Sequence, residues 1–82
     1  MTRTEALAEI IREAVSEHGM SHRELAVAAN LSESSLSHRL TGRTPWDLGD
    51  LDHVAAALGT TASTLLARAE ALETATPLGA SA

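Results

Sequence analysis

Two groupings of side chains in this 82-residue sequence have the types that covalent or metal chemistry uses. His18 and His22 stand four apart, the spacing that sets two imidazoles on one helical face to bind zinc. Gly19 and a helix-start signal at Ser21 interrupt the helix that would align them, so no metal site is expected. Ser37 beside His38 has the composition of a nucleophile and its base, but adjacent helical residues point about 100° apart and do not form that pair. There is no cysteine, which removes thiol catalysis, thiolate zinc sites and disulfides together. The sequence is therefore not expected to be an enzyme or to carry a cofactor.

A third grouping offers hydrogen bonding instead of bond making. The chain has 11 acidic residues and a net charge of −5, which weighs against a surface for phosphates. The distribution matters more than the sum. No acid falls between residues 34 and 46, and that gap holds His38, Arg39 and Arg43. Ser32, Ser34 and Ser35 stand at its edge beside Glu33. Elsewhere Glu5, Glu9, Glu13 and Glu17 recur every four residues, a solvated stripe on one helical face or a surface for a basic protein partner.

The elements that must position these residues are legible from apolar period and punctuation. Sixteen alanines, one aromatic residue (Trp46) and few β-branched runs favour an all-α chain. Leu7, Ile10, Ile11, Ala14 and Val15 have the spacing of one buried helical face, which predicts a first helix over 3–18 behind a Thr2–Glu5 capping box. Ser21 and Glu24 form a second capping box, with Met20 and Leu25 as its hydrophobic staple; Asn30, which tolerates positive φ, ends that helix. Ser32 repeats the start signal eleven residues later with the staple Leu31–Leu36. Two short helices and a three-residue turn must fit in that interval, with Leu25, Ala29, Leu36 and Leu40 between them.

Gly42 stops the third helix and Pro45 holds residues 42–45 as a loop. Asp47 caps a fourth helix that buries Leu51, Val54, Ala55 and Leu58, with Trp46 as its stapling anchor. Thr60 or Thr61 starts a fifth that buries Leu65, Leu66 and Leu72. One domain over 1–73 is expected, followed by a disordered tail over 74–82. No apolar run approaches a membrane span and the first residues lack the order of a signal peptide, so a cytoplasmic protein is expected.

Residues 21–42, SHRELAVAANLSESSLSHRLTG, resemble the helix-turn-helix of the phage-repressor and Cro-like (Xre) family. The likeness extends through Asp50-Leu51, Ala57-Leu58-Gly59 and Thr64-Leu65-Leu66, covering roughly residues 5–68, with Asn30 standing where that family has glycine. The resemblance implies a compact five-helix, lambda-repressor-like DNA-binding domain whose helix over 32–41 enters the major groove. It implies Glu33, Ser34 and His38 at base-reading positions. Glu33 can only accept, for instance from cytosine N4, and is repelled by phosphate.

Ser35, Arg39 and Arg43 are implied as phosphate contacts, with His22 meeting the backbone from the start of helix two and Ser32 offering a helix N-terminus. The expected partner is a double-stranded operator bound by a homodimer, with no membrane or small-molecule ligand. Phage immunity repressors belong to the same family. Leu65, Leu66, Ala69 and Leu72 are the expected dimer seam. The alternative is a protein-interaction module of the antirepressor or antitoxin kind on the same scaffold.

Overall fold

The computed structural model describes residues 2–81, with side chains described through Glu73. Five helices follow in order: α1 (Arg3–Glu17), α2 (His22–Ala28), α3 (Glu33–Leu40), α4 (Leu48–Ala57) and α5 (Ala62–Ser81), with no strand among the described residues. The fold is all-α, as the composition predicts. The tail expected over 74–82 lies outside the residues described with side chains.

Each helix begins where the sequence places a cap. The Thr2 hydroxyl accepts from the Glu5 amide at 3.1 Å while Glu5 accepts from the Thr2 amide at 2.8 Å. Ser21 and Glu24 repeat this reciprocal arrangement at 3.1 and 2.9 Å. Ser32, Asp47 and Thr61 accept from the amides of Ser35, Asp50 and Thr64. Every one satisfies a first-turn amide that has no partner within its helix.

The exits of α2 and α3 share one geometry. Asn30 has φ +59° and Gly42 φ +80°, and the amide following each reaches back to the carbonyl five residues earlier: Leu31 to Ala26 at 2.8 Å and Arg43 to His38 at 2.8 Å. This is the Schellman closure, which needs a left-handed residue after the cap. Asparagine supplies it at position 30 because its short polar side chain lowers the cost of that conformation.

The core joins all five helices. Leu7, Ile11 and Val15 of α1 meet Leu25 of α2, Leu36 and Leu40 of α3, Leu51 and Val54 of α4, and Leu65 and Ala69 of α5 in one buried cluster. Helix α1 packs on α5 and α3, and α4 on α2 and α5. Trp46 is half-buried against this cluster, an anchor for the α3–α4 loop.

One expectation is corrected. Leu65 and Ala69 are 0 % exposed, and Leu66 and Leu72 rest partly buried on the same cluster, so this stripe is not available as a dimer seam. The apolar period of α5 predicts a buried face, which the structure has, but a sequence does not say whether a second copy or the chain itself covers it. Here that stripe closes on the chain's own core.

Candidate nucleic-acid interface

The turn from Ala29 to Ser32 sets α2 and α3 against each other by burying Leu25, Ala29, Leu36 and Leu40. With Leu36 and Leu40 turned inward, the helical period leaves Glu33, Ser34, Ser37 and His38 exposed on α3. Ser35 and Arg39 are half-buried at the border of that face. His22, at the start of α2, and Ser32, the cap of α3, are exposed. The predicted base-reading residues Glu33, Ser34 and His38 therefore share one polar surface.

Helix α3 is held from three directions. Ser32 caps its N-terminus. The Arg12 guanidinium of α1 donates to the Leu40 carbonyl at its C-terminus, where a cation meets the negative end of the helix dipole. Arg39 reaches Asp50 of α4 at 2.7 Å and also donates to the Ser35 carbonyl at 3.1 Å.

The Arg39–Asp50 pair changes the reading of Arg39. Its side chain is only 15 % exposed and that of Asp50 19 %, so the guanidinium faces the protein's own carboxylate instead of standing free for a phosphate. The Asp47 carboxyl is held below its ordinary pKa chiefly by the Asp50 amide that it caps, with a smaller contribution from the Arg39 charge. No sequence rule signals this contact, because residues 39 and 50 sit on different helices across an irregular loop.

Arg43 differs. It is exposed, and its backbone is fixed by the closure onto the His38 carbonyl, with the Thr44 amide on the same oxygen at 3.2 Å. Arg3 pairs with Glu73 and Glu70, Arg12 with Glu9, Arg23 with Glu33 and Arg39 with Asp50. Among the described residues Arg43 and Arg68 have no carboxylate partner, and only Arg43 falls within the acid-free stretch 34–46.

Arg23 belongs to this surface although its position in the sequence carries no motif. It pairs with Glu33 at 3.2 Å across the turn, with side chains 82 % and 62 % exposed. Such exposed pairs contribute little stability, but this one sets a cation beside the carboxylate that begins α3. The only available signal was opposite charge at the heads of two helices already known to meet.

His18 closes α1 and His22 opens α2, each exposed, and the described residues contain no group of three metal-ligating side chains. Among them no helix is long and apolar enough to cross a membrane.

Residues 6–74 match the family model of a helix-turn-helix domain. No curated protein matches the chain. A crystal structure of the clp gene regulator ClgR from Corynebacterium glutamicum is similar with a TM-score of 0.84 and 31 % identity, covering 98 % of this chain and 88 % of that one. A second ClgR structure from C. glutamicum gives 0.79 and 31 %, covering 87 % and 92 %.

Proposed function

Because this chain belongs to the helix-turn-helix domain family, we propose that it is a sequence-specific DNA-binding transcriptional regulator, with α3 lying in the major groove of its site. One observation carries the reading: α3 is clamped by α1 and α4 with a continuous polar face, Glu33, Ser34, Ser37 and His38, turned to solvent. The likeness to a gene regulator over nearly the whole chain supports the same conclusion.

In this reading Ser34, His38 and Glu33 meet base edges, where hydroxyl and imidazole donate or accept and the carboxylate accepts from cytosine N4. Arg43, Ser35 and His22 position the domain on phosphates, aided by amides at the Ser32 cap. The protein acts as a repressor of the Cro-like or phage-immunity kind, without cofactor, and as a homodimer on half-sites about 34 Å apart, since one module contacts too little DNA for a long site. Leu65 and Ala69 take no part in the dimer contact.

The test is selection of bound sequences from randomised duplex DNA followed by gel shift. The expected result is a two-fold symmetric motif bound roughly 10³ times tighter than random duplex. No binding to any duplex at about 50 mM salt, where phosphate contacts are strongest, overturns it. That result would favour the interaction module, to which the exposed glutamates 9, 13 and 17 of α1 are suited.

A further inference from the structure

A chain of bonds crosses from α4 to the first turn of α3. The Asp47 carboxylate holds the Asp50 amide at 2.8 Å, Asp50 holds Arg39 at 2.7 Å, and Arg39 donates to the Ser35 carbonyl at 3.1 Å. Ser35 in turn donates its amide to the Ser32 hydroxyl. The bonds therefore end at Ser35 and the Ser32 cap, in the turn of α3 that carries Glu33 and Ser34, two of the residues that face the bases in the proposed complex.

Stability is a poor reason for this arrangement. Arg39 and Asp50 are largely withdrawn from water, and the Arg39 Nε is buried without a partner among the described residues. An ion pair with an unmet donor recovers its desolvation cost badly, and apolar side chains of similar volume often serve stability as well or better. What the pair supplies is direction. A guanidinium held to the Ser35 carbonyl of its own helix and to the Asp50 carboxylate of α4 restricts the angle between the two helices, whereas apolar contacts tolerate sliding.

Resting on the DNA-binding reading above, the geometry points to Arg39 and Asp50 as positioning residues that set the angle of α3 and thereby determine discrimination between specific and random DNA. Arg39 is not a phosphate contact. The two roles predict opposite signs for Asp50→Asn. Freeing a phosphate-binding arginine and removing an acid would tighten binding to all duplexes and steepen the salt dependence. Loss of a positioning bond instead weakens binding to the selected sequence at least tenfold, with affinity for random duplex and the salt slope unchanged.

The measurement is fluorescence titration of the full chain with selected and random duplexes across a salt series, monitored through Trp46, the sole aromatic residue. Asp50→Glu, which keeps the charge, restores part of the discrimination, and Arg39→Gln leaves the salt slope unaltered. Tighter binding by Asp50→Asn, or a slope reduced by about 0.9 in Arg39→Gln, overturns the proposal. Amide hydrogen exchange in the DNA-free protein separates this from failure of the DNA-binding reading. Asp50→Asn is expected to speed exchange at 36–40 at least tenfold while amides of α1 and α5 keep their rates. Unchanged exchange at 36–40 overturns the positioning role whether or not the protein binds DNA.

Discussion

Arg39 and Arg43 carry the same charge four residues apart, and the fold gives them different surroundings. Arg39 points into the carboxylates at the start of α4, while Arg43 stands exposed on a loop whose backbone is tied to α3. Arg43→Ala is therefore expected to weaken binding uniformly across DNA sequences and to lower the salt slope by about 0.9, one phosphate's share. Ser34→Ala or His38→Ala should instead change which sequence is preferred, with a loss of about 1–3 kcal/mol at the affected base pair. Selection experiments on each variant, repeated at several salt concentrations, distinguish these outcomes; a uniform loss from all three contradicts the assignment. The sequence puts both arginines in one acid-free stretch. It could not place Arg39, because side chains on one helical turn look alike until the helix that covers one of them is known.

At the scale of elements, helix starts and stops were almost wholly legible. Caps such as Ser21 and Ser32 act within three residues, so the sequence displays both partners of each bond. Asn30 shows how far this local reasoning reaches. With φ at +59°, Asn30→Ala is expected to destabilise the protein by about 1 kcal/mol through the left-handed backbone, whereas Asn30→Gly should change stability by only a few tenths of that. Urea unfolding of the two variants checks the difference, and equal stabilities would mean that the turn is held by packing alone. The α5 stripe was less legible. Its apolar period predicted a buried face correctly, yet the choice between a second copy and α1 depends on contacts far apart in sequence.

For the whole molecule, a net charge of −5 makes the response to acid informative. Glu24 and Glu5 accept N–H bonds from Ser21 and Thr2, and Asp47 from Asp50 with help from Arg39; each carboxyl is held below its ordinary pKa. The unfolded chain then binds these protons first, so the caps' contribution is fully present above about pH 5 and is lost as pH falls through the unfolded and then the lower folded values. Urea midpoints are expected to be flat down to about pH 5 and to fall steadily toward pH 3. In Glu24→Gln the fall should be shallower, and an identical profile would remove the cap from the account. What the sequence by itself determined is the set of five helices, their caps, and the polar residues at the head of α3, because these depend on interactions within a few residues. Tertiary structure alone decided that Arg39 answers Asp50, that Arg23 accompanies Glu33, and that α5 closes on the chain's own core. Those contacts join residues separated by loops, and their partners are selected by how helices pack, which local spacing does not encode.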